Sequence, residues 1–214
     1  MSLWEIEHRC FAAGHALVCG VDEAGAGPLA GDVYAAAVIL PPDLELPYLN
    51  DSKQVTPKRR DVLYDQIKEH AVAWAVASVR AEEIDELDIL NARMLAMERA
   101  IEALSPKADY ALIDGNRDHG SKCAILSPHE TVVKGDSKSA SIAAASILAK
   151  VSRDRYMEEM AKVYPEYAFE QHKGYGTKLH YERLLKYGPC PIHRKTFLKK
   201  LGQGNRGIRG GASR

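Results

Sequence analysis

The sequence predicts an α/β fold: a mixed β-sheet flanked by helices, with a helical C-terminal appendage. Three observations carry this. Two apolar segments within residues 17–40 are joined by a glycine-rich loop, the pattern of adjacent strands. Helix-like and strand-like segments then alternate to about residue 164, as in an α/β layer. Beyond Pro165, a loop leads into a short helix over about 178–187. The expected division is a main domain over 1–164, the appendage over 165–201 and a mobile basic tail over 202–214.

Each element has a local reason. Ala16-Leu17-Val18-Cys19 opens the first strand; the second runs from Val33 to Leu40 and is ended by Pro41-Pro42. Thr56 reads as an N-cap and Pro57 as the first helical residue of a segment reaching about His70, with Val62, Leu63 and Ile67 inward. Residues 71–79 alternate, which puts Val72, Trp74 and Val76 on one face of a strand. Leu87, Leu90, Met94, Met97, Ile101 and Leu104 recur at steps of three and four, predicting one long amphipathic helix over 81–104, stopped by Ser105-Pro106. Tyr110 to Gly115 reads as a short buried strand, 116–130 as irregular, and Thr131 to Lys134 as a further strand. A helix over 137–164 starts with small residues, Ala140, Ser141 and Ala143 to Ser146, which let its axis lie close to a sheet.

Composition narrows the function. With 214 residues and 46% apolar content, the chain can build one sizeable core. No apolar run approaches the ~20 residues of a membrane span. The N-terminus has neither the basic start nor the apolar core of a signal peptide, so a cytoplasmic location and no membrane partner are expected. Cys10, Cys19, Cys123 and Cys190 are scattered, which argues against a disulfide framework or a zinc knuckle. Formal net charge is zero, but residues 1–133 carry 12 Lys and Arg against 22 Asp and Glu, whereas 134–214 carry 17 against 7. That asymmetry predicts an acidic partner for the C-terminal part, nucleic acid being the commonest.

Three strand ends share one pattern, an apolar run followed by an acid and then glycine or a helix start: Asp22 with Glu23, Asp114, and Asp136. Singly, these residues have ordinary readings as a solvated turn, an Asp-Gly turn and a helix N-cap. Jointly they point to a site at the strand ends of an α/β sheet. Converging carboxylates repel one another unless cations lie between them, and oxygen-only ligands select Mg²⁺ or Mn²⁺. Two such ions about 4 Å apart can activate a water and stabilise the leaving oxygen of a phosphodiester. Adjacent strand residues face opposite sides. Asp22 and Glu23 can therefore share a site only if the strand ends or bulges between them. A small-molecule phosphohydrolase would use the same acids, but the basic C-terminal part argues against it.

Several motifs, in order, resemble bacterial ribonuclease HII. They are Gly20-Val21-Asp22-Glu23-Ala24-Gly25 with Gly27-Pro28-Leu29-Ala30-Gly31, Asn50-Asp51-Ser52-Lys53, Ile113-Asp114-Gly115-Asn116, Lys134-Gly135-Asp136-Ser137 with Ala143 to Val151, and His172-Lys173-Gly174-Tyr175-Gly176-Thr177. The resemblance spans roughly residues 16–200. It implies a ribonuclease H-like fold and endonucleolytic cleavage 5′ of a ribonucleotide, in RNA/DNA hybrids and in duplex DNA with embedded ribonucleotides. The products would be a 3′-hydroxyl and a 5′-phosphate, and the cellular role removal of misincorporated ribonucleotides. It also implies a monomer. Carried over by motif, Asp22, Glu23, Asp114 and Asp136 would bind the catalytic metal. Gly25, Ala26 and Gly27 would sense the ribose 2′-hydroxyl through the backbone. Tyr175 would pack on the sugar of the following deoxynucleotide. Lys53, His172 and Lys173 would contact phosphates. His193-Arg194 resembles a C-terminal His-Arg pair that lies near the nucleic-acid backbone or holds the appendage. Two positions depart from the family pattern: Ala26 stands where arginine is usual, and Asp32 where proline is frequent. The alternative reading is a catalytically weakened nucleic-acid-binding variant, because Ala26 removes a cationic side chain.

Overall fold

The structure is a computed structural model, described over residues 2–49 and 55–199. Its sheet is built from β1 (Val18–Ala24), β2 (Val33–Ile39), β3 (Ala73–Val79), β4 (Tyr110–Asp114) and β5 (His129–Val132). The strand order is β3-β2-β1-β4-β5. β1–β2 and β2–β3 are antiparallel, whereas β1–β4 and β4–β5 are parallel, so the sheet is mixed and β1 is central. The helices are α1 (Glu5–Ala12), α2 (Pro57–His70), α3 (Ala81–Leu87), α4 (Ile89–Glu102), α5 (Ala140–Val163), α6 (Phe169–His172) and α7 (Lys178–Tyr187). Among the described residues no helix is long and apolar enough to cross a membrane.

Each sheet face buries a separate helix layer. Cys19, Val21 and Ile113 pack against Met94, Met97 and Ile101 of α4. Ala36 and Val38 pack against Leu63 and Ile67 of α2 and against Ala143, Ala144 and Leu148 of α5. The small-residue half of α5 lies so close to β1 that a Cβ on Gly20 would come within 2.1 Å of the Ile142 nitrogen and the Ser141 carbonyl carbon. The start of α5 is held by Ser139, whose hydroxyl accepts from the Ile142 N–H at 3.1 Å. Glu7 of α1 is fully buried beneath it and accepts from the Ser139 hydroxyl at 2.6 Å and the Ser141 N–H at 3.0 Å. A carboxylate there complements the positive end of the helix. The sequence reading assigned no role to α1.

Four local expectations are corrected. The predicted helix over 81–104 is two helices, because Asp88 takes φ 75° and its carboxylate accepts from the Asn91 N–H at 3.0 Å, starting α4 afresh. On β3 the better-buried face carries Ala73, Ala75 and Val79, whereas Val72 and Trp74 are substantially exposed; β3 is an edge strand, and small residues bring it close to α4. Val62 of α2 is exposed, while Leu63 and Ile67 are buried. β5 starts and ends two residues early, because Lys134 adopts φ 57° and turns the chain into a single 3₁₀ turn, Gly135–Ser137.

Beyond α5 the chain forms a third apolar cluster. Tyr167, Phe169 and Leu184 pack against Met157 and against Leu29 and Ala30 of the β1–β2 connection. The expected tail over 202–214 lies outside the described residues.

Candidate active site

β1 stays regular through its acidic end, pairing Asp22 with Ala36, Glu23 with Ala35 and Ala24 with Tyr34. Neither the expected strand end nor the expected bulge therefore falls between the two acids. Asp22 follows the parity of Gly20, which faces α5, and Glu23 that of Val21, which faces α4. They meet because the parallel pairing with β4 stops at Val21–Ile113. Past that point the β4 side of β1 is open, and side chains from both faces reach one cleft. Asp114 closes β4 with the parity of Leu112, which pairs with Gly20, so it shares the Asp22 face. Asp136 sits in the 3₁₀ turn before α5 and is buried; Ser139, not Asp136, caps the helix.

The cleft has a volume of about 400 Å³ and is lined by Asp22, Glu23 and Asp136, by Gly25, Ala26 and Gly27, and by Arg60, Lys150, Arg153 and Tyr175. Desolvation, then the carboxylates of Glu23 and Asp114, and more weakly Asp136, hold the Asp22 carboxyl well above the usual range. The Glu23 N–H, donating to Asp22 Oδ1 at 2.7 Å, opposes this only in part. Desolvation also raises Glu23, against the opposing pull of the Arg93 guanidinium, which lies 2.5 Å from Glu23 Oε1. Asp114 lies just outside the cleft lining; its Oδ1 accepts from the Gly135 N–H at 2.6 Å.

Among the described residues no three His, Cys, Asp or Glu side chains form a ready-made set of metal ligands. Glu23 is drawn to Arg93, Asp114 to the Gly135 N–H and Asp22 to the Glu23 N–H. The donor chemistry nevertheless fits a hard divalent cation. The donors are all carboxylate oxygens, and their mutual repulsion on Asp22 is a cost that a cation would remove.

Other sequence-predicted residues divide. Tyr175 is exposed at the cleft, with the Arg153 guanidinium carbon 5.7 Å from its ring centroid. Lys53 lies outside the described residues. His172 is corrected: it is buried, its Nε2 bonds the Tyr167 carbonyl at 3.0 Å and its Nδ1 accepts from the Gly174 N–H at 3.2 Å, leaving nothing for a phosphate. Lys173 is not among the residues that line the cleft; its Nζ donates to Glu158 Oε1 at 2.8 Å and to the Glu170 carbonyl at 3.1 Å. Asp32, buried, accepts from the Ala81 N–H and the Tyr156 hydroxyl, each at 3.3 Å, and so anchors the start of α3.

Two fully buried arginines had no assigned place at the cleft. Arg153 donates to the carbonyls of Asp32 and Ala30, each at 3.2 Å, and fills the space where a Gly25 side chain would stand, at 2.1 Å from its Cβ position. Its place in the apolar stripe of α5, four residues from both Ala149 and Met157, was the available signal. Arg194 donates to the carbonyls of Gly25 at 2.7 Å, Ala26 at 3.0 Å and Gly31 at 2.7 Å. Of the two readings of His193-Arg194, the structure favours holding.

A family model for ribonuclease HII matches residues 19–200. The chain is 55% identical over 197 residues to a ribonuclease HII of Endomicrobium trichonymphae, covering 92% of each chain. It is 56% identical over 182 residues to a ribonuclease HII of Dechloromonas aromatica (strain RCB), covering 85% of this chain and 90% of the relative. The crystal structure of ribonuclease H2 from Pyrococcus horikoshii OT3 superposes with a TM-score of 0.71 at 27% identity, covering 90% of this chain and all of that one. With an acidic cleft beside a glycine loop at the end of its central strand, the chain belongs to the ribonuclease HII family.

Proposed function

We propose that the chain hydrolyses the phosphodiester 5′ of a ribonucleotide, in duplex DNA with embedded ribonucleotides as well as in RNA/DNA hybrids, leaving a 3′-hydroxyl and a 5′-phosphate. Family membership makes it a divalent-metal-dependent endoribonuclease that acts on RNA/DNA hybrids. The observation that carries the finer reading is the single cleft in which Asp22, Glu23 and Asp136 face Gly25 to Gly27 and Tyr175. Asp22, Glu23, Asp114 and Asp136 would hold Mg²⁺ or Mn²⁺. Such ions, when bound, activate a water and stabilise the leaving oxygen.

The remaining roles belong to the chain itself. A trans peptide sends its N–H opposite to its carbonyl. With the Gly25 and Ala26 carbonyls turned to Arg194, the N–H groups of Ala26 and Gly27 point away from it, as donors for a 2′-hydroxyl. Tyr175 packs on the sugar of the next nucleotide, where an extra hydroxyl would interfere. Arg60 and Lys150 offer cations to the phosphates, and Arg153, fully buried behind Gly25, adds positive charge beside them without touching substrate. Lys53 completes the expected phosphate contacts. Residues 165–201 serve as a substrate-binding appendage, and the enzyme works as a cytoplasmic monomer.

The test is a DNA duplex carrying one ribonucleotide, incubated with Mg²⁺, Mn²⁺ or a chelator. Nicking 5′ of the ribonucleotide with either metal and none with chelator is expected. Retention of the duplex without nicking would return the weakened, binding-only alternative, which the intact acids oppose. Ala26 is half-buried at the cleft and its φ is not in the left-handed region, so arginine fits its backbone. Ala26→Arg is expected to tighten binding and steepen the dependence of log K on log salt by about one unit. An unchanged salt slope would mean that the missing side chain has no consequence for binding.

A further inference from the structure

Behind the cleft, the segment 190–194 is tied to both elements assigned to sugar recognition. Its main chain runs beside the glycine loop. The Gly31 N–H donates to the Ile192 carbonyl at 2.8 Å, the Arg194 N–H donates to the Leu29 carbonyl at 2.9 Å, and Ala30 bridges to His193. The Leu29 N–H reaches across to the Gly174 carbonyl at 2.8 Å, beside Tyr175.

Two side chains of this segment, adjacent in sequence, divide the work. Arg194 holds the Gly25 and Ala26 carbonyls from behind. His193 acts through His180, and the partners of each ring fix the protons. His180 Nδ1 lies 2.9 Å from the Tyr175 carbonyl, an acceptor only, so Nδ1 carries the proton. Burial pushes both His180 and His193 down to about 4, so both are neutral at pH 7. His180 Nε2 is then an acceptor, and the donor is His193 Nε2–H at 3.0 Å. His193 Nδ1 in turn accepts from the Cys190 N–H at 2.9 Å. The result is a one-directional chain from Cys190 through His193 and His180 to the Tyr175 carbonyl. His172 stacks on His180 at 4.4 Å and stiffens the same loop. No member of this chain lines the cleft except Tyr175.

We propose that His193 and Arg194 are paired positioning residues that set the spacing between the two sugar-reading elements: His193, through His180, places Tyr175, and Arg194 places the N–H groups of Ala26 and Gly27. This rests on the proposed reading of Tyr175 and the glycine loop. Neither side chain touches substrate. They fix where the substrate sits before chemistry, so their loss falls on KM rather than on kcat.

The experiment measures kcat and KM on the single-ribonucleotide duplex for Tyr175→Ala, His193→Leu, His193→Gln and the double variant Tyr175→Ala/His193→Leu. Losing one net hydrogen bond corresponds to about tenfold. His193→Leu is expected to raise KM about tenfold with kcat within about twofold. His193→Gln, which keeps a donor near the Nε2 position, is expected to recover most of the loss. The double variant should be no worse than Tyr175→Ala alone, because the effect passes through Tyr175. A wild-type KM for His193→Leu beside an impaired Tyr175→Ala, or additive losses in the double variant, overturns the inference alone. A wild-type KM for Tyr175→Ala overturns the underlying reading and the inference with it. The histidine protons are also read without any variant, by ¹⁵N NMR of the wild-type enzyme at pH 7. Protons on Nδ1 of His180 and Nε2 of His193 support the chain of donors; a proton on Nε2 of His180 overturns it.

Discussion

Asp22→Asn is expected to lower the nicking rate by about 10³-fold or more while raising the unfolding temperature measured in chelator. The two effects have one cause. Asp22 is held well above the usual carboxylate range by desolvation and by the carboxylates of Glu23, Asp114 and Asp136. An amide removes one negative charge from that group and keeps the size of the side chain. It can still accept from the Glu23 N–H, the hydrogen bond that Asp22 now receives at 2.7 Å. Without metal, the folded state is therefore relieved of repulsion. With metal, the site loses a charged oxygen ligand, and several kcal/mol of transition-state stabilisation correspond to about 10³ in rate. The measurements are single-turnover nicking in Mg²⁺ and thermal unfolding in EDTA. A variant that is less stable in EDTA yet cuts at the wild-type rate would remove Asp22 from the metal site.

Gly20→Ala is expected to cost about 3 kcal/mol or more, at the upper end for overpacking. In a chain of this length that corresponds to a fall of roughly 6–12 °C in the unfolding midpoint. The new methyl would meet the Ile142 nitrogen and the Ser141 carbonyl carbon at 2.1 Å, and the Ser141 oxygen at 2.5 Å. These are backbone atoms of the first turn of α5, so no rotamer change relieves the contact. Either β1 or α5 must move. β1 carries Asp22 two residues later, and Asp136 lies just before α5. Cleavage at a temperature where the variant is still folded should therefore fall as well. Chemical denaturation and nicking at 20 °C measure the two effects. A variant as stable as the wild type would mean that α5 does not press on β1 at this point.

What the sequence revealed followed physical locality. The pattern of an apolar run, an acid and then glycine or a helix start was readable locally at Asp22, Asp114 and Asp136; in the structure Asp22 and Asp114 lie near the ends of the parallel neighbours β1 and β4, and Asp136 follows β5 in the 3₁₀ turn before α5. The close packing of α5 was readable from its small residues, and the short helix expected over about 178–187 is α7. The break at Asp88 was not, because apolar spacing continues across it and only the Asp88–Asn91 cap reveals a new start. The route by which Asp22 and Glu23 share a cleft was missed because it depends on where β4 stops, a property of register rather than of β1 itself. His172 was misplaced as a phosphate ligand, since a histidine beside Lys-Gly-Tyr-Gly gives no local sign that His180 will stack on it. The buried roles of Arg194 and His193 depend on contacts with residues far away in sequence, and only coordinates could reveal them.

The most direct measurement is anomalous diffraction from crystals grown with Mn²⁺. The expected result is Mn²⁺ ordered among Asp22, Glu23, Asp114 and Asp136, with the Glu23–Arg93 or Asp114–Gly135 contact released to free a ligand oxygen. A fully active enzyme whose Mn²⁺ binds away from these four carboxylates, with both contacts intact, would contradict it.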